Sequence, residues 1–449
     1  MNETVIGLVA VGFTVMSLIG YLLVVLVTSW GISNKLAWAL APVVGMGVCS
    51  IIFFVFRRPM FTIEFSLLTI LILVWLFRRR KPRHGVAAPK LPIPILSVWL
   101  VGALTWATFA AFIYVDRVPH GEWDGFVIWN SHARYLYRAG SVWEQHIQTT
   151  PHSDYPLLLP ASTARLWRYI GKDPAEAGGI QGVMLMVSGV LILAASLWEL
   201  RAGPRSFLAP LILLGTPYYL NLGSWQYADV PLSVYILSTI ALICTYWERQ
   251  ADRGRLLILA GFTAGCAAWT KNEGLLFALV TSVILLLPVF WNRVKTARRF
   301  ALFSLGLLLP LAVTIYFKIA VTPPNDVVGN RAFAELLAKI LDPSRYVMIA
   351  AAFWKEFISF GHGGINPGIA LIAMLVTYGI DRRFVRNRGW VSGAVVLAAM
   401  LAGYFAIYVI TPFSLGYHLP SSLDRLVMHL WPTLLLLAGL ALKRSEPYA

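Results

Sequence analysis

The sequence has little charge and very little cysteine. Charged residues make up 13% of the 449 residues, and the three cysteines are Cys49, Cys244 and Cys266. All three fall inside apolar runs, and an odd number in such places offers neither a disulfide framework nor a zinc spacing. We expect them to pack as small apolar side chains. A chain so poor in charge and 58% hydrophobic is typical of a membrane protein.

Long apolar runs occupy most of the chain. A helix needs about 20 mainly apolar residues to cross a bilayer, and these runs lack the alternation of a membrane β-barrel. We therefore predict an all-α polytopic integral membrane protein with about 13 transmembrane helices and a long outer loop after the fourth span. The chain starts without a basic region, so the first segment should be a retained helix. The segments lie near 4–30, 36–56, 61–77, 92–115, 179–198, 207–222, 229–247, 256–270, 275–291, 300–320, 364–380, 390–411 and 426–442.

The formal charge of +16 has two interpretations. One is a nucleic-acid partner, but basic residues of membrane proteins also collect in cytoplasmic connections. With the basic block 78–83 in the cytoplasm, most other basic connections fall on the same side; the exception is Arg57 and Arg58, in a short outer turn. Topology thus explains the charge, and we predict a lipid bilayer as partner and no nucleic acid. The natural location is a bacterial inner membrane, with the site facing the periplasm.

The longest polar passage is 123–160, WDGFVIWNSHARYLYRAGSVWEQHIQTTPHSDYPLLLP. A connection of more than about 15 residues without obvious regular structure is uncommon and often functional. We therefore predict an active-site loop. In the predicted topology the turns at Asp229 and Lys271 and the loops 323–345 and 417–425 lie on the same outer face. Ionisable residues at the edge of apolar segments are costly unless paired or functional, so we expect them to converge on one water-accessible site.

The chain divides into two predicted parts. Residues 1–90 hold N-terminal scaffold helices and the basic cytoplasmic loop, and 91–449 form a catalytic module. Within the module, 116–178 is the predicted periplasmic active-site loop and 321–360 a periplasmic interfacial segment. Apolar residues at helical spacing in the second segment predict an amphipathic helix at 331–357.

Asp124 is the leading candidate for chemistry. It closely follows a span and lies between aromatic residues, so it could accept a proton or bind a metal in a partly desolvated cleft. The alternative is a helix N-cap for the segment that follows. Asp116, at the end of the span, is a rival acid.

A second group is His152 and Asp154, in PHSDYPLLLP. The flanking prolines hold the chain extended, which can present both side chains to a cleft. Together with Asp124 and Asp229 they could bind a hard divalent cation through oxygen. The alternative for His152 and Asp154 is a solvated turn, and for Asp229 a helix cap. No spacing here is specific for a metal.

Basic residues near the membrane boundary suggest a phosphate site. Lys271, Asn272 and Glu273 interrupt an apolar run, and Glu273 is a counter-charge for Lys271. A lysine at such a boundary more often snorkels to the surface. His418 and Arg425 could also reach a phosphate, beside Asp424 in a capping arrangement.

Five motifs in this order resemble the GT-C superfamily of membrane glycosyltransferases: WDGFVIWNSHARYLYRAG, HSDYPLLLP, YADVPL, WTKNEGLL and SLDRLVMHLWP. The resemblance covers roughly residues 92–442. It is greatest to the bacterial branch with lipopolysaccharide galacturonosyltransferases, the aminoarabinose transferase of lipid A and protein O-mannosyltransferases.

The resemblance implies a reaction and a set of roles. A sugar would move from a polyprenyl-phosphate donor to a hydroxyl of a cell-envelope lipid, polysaccharide or protein in one inverting step. Asp124 would be the general base, and Lys271, Arg425 and His418 would bind the donor phosphate. No cofactor is required, although a divalent cation could be held by Asp124, His152, Asp154 and Asp229. Residues expected to bind the substrates are Trp123, Asn130, Arg134, His152, Asp154, Tyr155, Asp229, Asn272, Glu273 and Asp424.

Three other functions are compatible with the sequence. A transporter or flippase of lipid-linked sugars would need charged or broken helices near the middle of the membrane. An O-antigen ligase or polymerase would use a diphosphate donor, and a silent assembly subunit would have no chemistry. A uronic acid donor would favour extra basic residues near the site, for which Arg134, Arg138 and Arg165 are available.

Overall fold

The computed structural model describes residues 3–29, 31–79, 94–201, 203–249, 254–287, 293–323 and 333–443. Across these ranges the chain is helical, and the only β pairing is a single bridge between Ile380 and Leu442. The α-helices are α1 (Glu3–Thr28), α2 (Asn34–Phe56), α3 (Met60–Arg79), α4 (Ile95–Arg117), α5 (Ser131–Arg138), α6 (Trp143–Gln148), α7 (Leu158–Ile170), α8 (Glu176–Arg201), α9 (Leu208–Leu214), α10 (Pro217–Ser224), α11 (Asp229–Glu248), α12 (Gly254–Thr270), α13 (Asn272–Leu286), α14 (Arg293–Tyr316), α15 (Phe333–Ile340), α16 (Pro343–Ser359), α17 (Pro367–Tyr378), α18 (Arg388–Ile410) and α19 (Leu415–Ala441).

Length and composition identify the membrane-crossing helices. In the described ranges, nine helices are long and apolar enough to cross a bilayer. They are α1, α2, α3, α4, α8, α11, α14 with its extension to Val321, α18 and α19. Four further apolar segments are shorter: 204–214, α12, α13 and α17. The chain is therefore an α-helical polytopic membrane protein, while the total of about 13 spans stays a prediction.

One predicted span is broken. The apolar run 207–222 forms α9 and α10, with Gly215 and Thr216 between them. Pro217 begins α10, and the residue before a proline avoids the helical conformation. Thr216 accordingly has φ −103° and ψ 96°. Hydropathy alone could not locate the break because both halves are apolar.

The prediction of an irregular loop at 123–160 was wrong, because most of this stretch is helical. A π-helical segment, Gly125–Asn130, leads into α5, and α6 and the start of α7 follow. Trp129, Ala133 and Leu136 are buried, at a spacing that gives one face of a helix. The interleaved polar residues hid this periodicity in the sequence.

The interfacial segment is two helices instead of one. Helices α15 and α16 are separated at Leu341 and Asp342, and Asp342 caps α16 by accepting a hydrogen bond from the Ser344 amide at 2.9 Å. Parts of several sequence predictions lie outside the described residues: the basic block beyond Arg79, the boundary between residues 90 and 91, and 324–332 of the loop 323–345.

The first three helices pack directly on the rest of the bundle. Helix α2 lies against α7 and α8, and the Tyr235 hydroxyl donates to the Val43 carbonyl at 2.9 Å. Glu64 of α3 and Arg165 of α7 form a bidentate ion pair, 2.5 Å from Nε to Oε1, and both side chains are fully buried. Arg165 is therefore occupied in the packing of α3 on α7. The division of the chain at residue 90 stays a prediction.

Candidate active site

Asp229, in the first turn of α11, is the centre of a buried charge cluster. Its carboxylate is fully buried and accepts hydrogen bonds from Arg425 Nε at 3.1 Å and Arg425 Nη2 at 3.0 Å. Lys271 Nζ donates at 2.9 Å, and His429 Nε2 lies 2.7 Å away. Ala228 occupies the N-cap position, so the cap alternative for Asp229 was wrong. One carboxylate thus joins α11, the α12–α13 turn and α19.

Asp124 joins this cluster through Arg425. Its Oδ2 lies 2.6 Å from Arg425 Nη2, and 13% of its side chain is exposed. The Arg425 guanidinium also stacks on Tyr227, 4.8 Å from the ring centre. The Asp124 side chain makes no capping hydrogen bond, so the cap alternative was wrong here too. Arg425 therefore bridges one buried carboxylate and one that solvent reaches.

A cavity of about 440 Å³ lies beside the cluster. Its apolar and aromatic lining comes from α13, α18, the connection between α18 and α19, and α19 itself. Its polar lining comes from the 150–155 turn, the α12–α13 turn, the segment that follows α14, and α19. The cavity therefore presents charged and apolar groups to the same ligand. The apolar and aromatic lining residues are Leu275, Leu276, Ile407, Tyr408, Phe413 and Leu426, and the polar ones are His152, Asp154, Tyr155, Lys271, Asn272, Glu273, Lys318, His418, Ser422 and Arg425.

Lys318 adds a cation that sequence reasoning missed. A π-helical segment, Phe317–Val321, continues α14 and carries this lysine into the cavity wall. Its Nζ donates to Asn272 Oδ1 at 2.6 Å and lies 3.3 Å from Asp154 Oδ2. Asn272 Nδ2 in turn donates to Asp154 Oδ2 at 2.8 Å. This network fixes three separate elements around one corner of the cavity.

Glu273 leaves one acceptor unused. Its Oε1 lies 3.2 Å from Lys271 Nζ, but Oε2 is buried and has no hydrogen-bond partner among the described residues. A buried carboxylate oxygen without a donor is costly. Because Glu273 lines the cavity, a hydroxyl group of a ligand could supply that donor.

Tyr155 and His152 form an aromatic edge. The Tyr155 ring stacks on Trp129 at 5.6 Å and on His152 at 4.7 Å between ring centres. Burial raises the pKa of Tyr155 well above its usual value, so its hydroxyl keeps its proton. His152 has φ +54°, a strained conformation for a residue with a side chain.

Five predicted substrate contacts do not line the cavity, and neither does Asp124. Trp123 is 60% exposed, and Asn130 is buried in a hydrogen bond to Gln226 Oε1 at 2.7 Å. Arg134 lies 4.0 Å from Asp173, Asp424 lies 3.4 Å from His362, and Asp229 is at the centre of the charge cluster. A role for these five side chains in binding a substrate stays a prediction. The suggested uronate contacts are also absent from the lining: Arg138 pairs with Asp173 and Arg165 with Glu64.

The structure does not assemble the suggested cation ligands. Asp124 and Asp229 both face Arg425, whereas Asp154 faces Lys318. No group of three or more His, Cys, Asp or Glu side chains in the described part of the chain could hold a metal ion. Each carboxylate has a protein cation as its partner instead.

His429 is a second residue that sequence reasoning missed. It is fully buried in α19, between Asp229 and the Tyr404 hydroxyl, which is 3.4 Å from Nδ1. Lys318 and His429 share a signal in the sequence, since each is an ionisable residue inside an apolar span. Both positions could have been identified by that criterion.

Comparisons with protein-family models, curated proteins and solved structures find no match to this chain. The resemblance to membrane glycosyltransferases therefore stays a prediction drawn from the five motifs. Any functional proposal therefore rests on the geometry of the site.

Proposed function

We propose that this protein is a membrane glycosyltransferase of the GT-C type, which transfers a sugar from a polyprenyl-phosphate donor to a hydroxyl group of a cell-envelope acceptor. The observation that carries the proposal is a cavity that is lined by both cations and apolar side chains. Lys271, Lys318 and Arg425 line it together with Leu275, Leu276 and Leu426. A ligand that joins a phosphate to an isoprenoid chain has the same combination of groups.

The phosphate would bind at the three cations. Charge-assisted hydrogen bonds to phosphate oxygens are short and strong, and both lysine and arginine form them. Lys318 is the most exposed of the three, with 22% of its side chain exposed, and its ion pair with Asp154 is longer than that of Lys271 with Asp229. We infer that Lys318 makes the first contact with the phosphate. The isoprenoid would follow the apolar residues of α13 and α18.

The transfer itself is one displacement. The acceptor oxygen attacks the anomeric carbon, the bond from that carbon to the phosphate oxygen breaks, and polyprenyl phosphate leaves with the bonding electrons. Asp124 takes the proton from the acceptor hydroxyl, since it is partly exposed and pairs with Arg425, which lines the cavity. Lys271, Lys318 and Arg425 stabilise the negative charge that grows on the leaving phosphate. The free Oε2 of Glu273 accepts a sugar hydroxyl.

The test measures release of polyprenyl phosphate by mass spectrometry. Purified protein in lipid nanodiscs is incubated with a panel of polyprenyl-phosphate sugars and an acceptor extract from membranes. We expect wild type and Asp116→Asn to release the lipid phosphate, and Asp124→Asn to lose most of the activity. Asp116 is a matched control because it is exposed at the end of α4 and forms no ion pair with the residues that the structure describes. A donor that binds wild type but is never cleaved would favour a transporter or a silent subunit instead.

A further inference from the structure

A second concave site lies away from the charge cluster. It is a groove of about 690 Å³ between the end of α2, the start of α6 and the end of α14, here called the arginine groove. This volume lies in the range of about 300–1,000 Å³ that is typical of ligand sites. Its lining residues are Phe54, Val55, Phe56, Arg57, Arg58, Trp143, Glu144, Ala312, Val313 and Tyr316.

The two arginines of the groove are out of place in the predicted topology. Arg57 and Arg58 lie on the predicted outer face, where basic residues are disfavoured. Arg57 has structural partners, because its guanidinium lies 4.2 Å from the Trp143 ring centre and donates to the Gly140 carbonyl at 3.1 Å. Arg58 is exposed and forms no hydrogen bond or ion pair with the described residues. The guanidinium of Arg58 is therefore available to a ligand.

The walls of the groove belong to membrane spans. Phe54, Val55 and Phe56 end α2, and Val313 and Tyr316 belong to α14. Val55 and Phe56 are about half exposed, at 53% and 46%, so an apolar surface continues below the arginines. A soluble anion would use only the rim of such a groove.

Charge in and around the groove is positive. Glu144 faces Arg57 and offsets one of the two arginines, while Arg168 of α7 adds a third cation near Arg57. Tyr316, which lines the groove and is 54% exposed, is an amphipathic aromatic of the kind that favours the headgroup level of a bilayer. The charge, the apolar walls and this tyrosine are all complementary to one kind of molecule.

We propose that the arginine groove binds an anionic phospholipid, with its phosphate against Arg58 and Arg57 and an acyl chain along α2 and α14. Phe54 connects this groove to the catalytic side of the bundle. Its ring contacts Trp269 at 5.0 Å and Phe317 at 6.4 Å between ring centres, and these residues come shortly before Lys271 and Lys318. The bound lipid would therefore stabilise the α12–α13 turn and the π-helical segment after α14, which carry the cavity lysines.

The test is native mass spectrometry of the full chain purified in detergent. The protein is incubated with phosphatidylglycerol or phosphatidylcholine that carry identical acyl chains. We expect wild type to retain phosphatidylglycerol preferentially, and Arg58→Gln to reduce that preference about tenfold, since one charge-assisted contact is lost. Arg138→Gln is the control, because Arg138 is an exposed arginine that pairs with Asp173 outside the groove.

Three results would overturn the proposal. Equal retention of both lipids would show that the groove does not select for the negative charge of the headgroup. An equal effect of Arg58→Gln and Arg138→Gln would show that any basic residue at the surface suffices. Displacement of the lipid by soluble glycerol phosphate would show that the apolar walls contribute nothing. The assay contains no sugar donor, so its outcome is independent of the proposed transferase activity.

Discussion

Asp229 and Asp124 share one arginine, yet replacing them should lower the free energy of unfolding by very different amounts. Asp229→Asn removes the charge of a fully buried carboxylate that receives hydrogen bonds from Arg425, Lys271 and His429. The amide keeps one acceptor oxygen but turns an NH₂ group towards these donors. Breaking a buried ion pair costs about 3–5 kcal/mol. We expect the lower end, about 3 kcal/mol, because Arg425 keeps Asp124 and Lys271 keeps Glu273.

Asp124→Asn should leave stability nearly unchanged. Arg425 keeps the carboxylate of Asp229, so no buried charge loses its last partner. The loss should be about 1 kcal/mol, as for a partly exposed pair. The free energy of unfolding can be followed by tryptophan fluorescence during titration with SDS, since the chain has 17 tryptophans. Asp116→Asn is the control for both variants.

Two results would refute this interpretation of the cluster. One is an Asp229→Asn variant as stable as Asp116→Asn, because the buried carboxylate would then not organise the site. The other is an Asp124→Asn variant as unstable as Asp229→Asn, because Asp124 would then be a structural residue. The expected result separates the carboxylate that holds the site together from the one that is free to react.

Three further predictions follow from the same structure. Lys318→Met should raise the KM for the lipid-linked donor about tenfold with a smaller change in kcat, since one phosphate contact is lost. Steady-state kinetics measure this, with Lys339→Met as the control because Lys339 is paired with Glu335 on α15. Equal kinetic constants for the two variants would contradict the prediction. Arg165→Met should lower the free energy of unfolding by about 3–5 kcal/mol, because it leaves Glu64 buried and unpaired. Adding Glu64→Leu should restore most of this loss in SDS titrations. Additive losses would contradict a buried ion pair between Arg165 and Glu64. Burial lowers the pKa of His132 to about 3, so below about pH 6.5 the folded chain binds fewer protons than the unfolded one. The free energy of unfolding therefore falls as the pH drops, by up to about 1.4 kcal/mol per pH unit. His132→Gln should show a shallower fall of this free energy between about pH 7 and 5.5, and an unchanged slope would refute the prediction.

The helices could be predicted from the sequence because each apolar run can be recognised from its own residues alone. Every predicted segment overlaps, in the described residues, with one helix or with the broken pair α9 and α10. The last span was predicted to begin at 426, but α19 begins at Leu415, so the predicted loop 417–425 and the capping arrangement at Asp424 were wrong. The convergence of the turns at Asp229 and Lys271 with the residues around Asp154 could also be anticipated, since the alternation of spans puts their ends on one face. A hydrogen-bonded network now joins these turns.

The partners of individual charges could not be predicted. Arg165 was a plausible substrate contact until the structure placed it against Glu64, which is distant in the chain. Lys318 could be noticed as an ionisable residue inside an apolar span, but its contacts with Asn272 and Asp154 could not be predicted, because the π-helical segment that carries it has no signature in the sequence. Pairing depends on the relative rotation of helices, whereas hydropathy reports only their existence. The helical periodicity of 123–160 was hidden for a related reason, since polar side chains there are buried with hydrogen bonds.

The central claim is that the cavity cleaves a lipid-linked sugar and passes that sugar to an acceptor. The most direct measurement is the molar balance of a wild-type reaction in nanodiscs, with the polyprenyl phosphate released and the sugar gained by the acceptor both quantified by mass spectrometry. We predict equimolar amounts of the two products, with the anomeric configuration of the transferred sugar inverted. Lipid phosphate released without any sugar on an acceptor, or donor retained intact on the protein, would contradict the account.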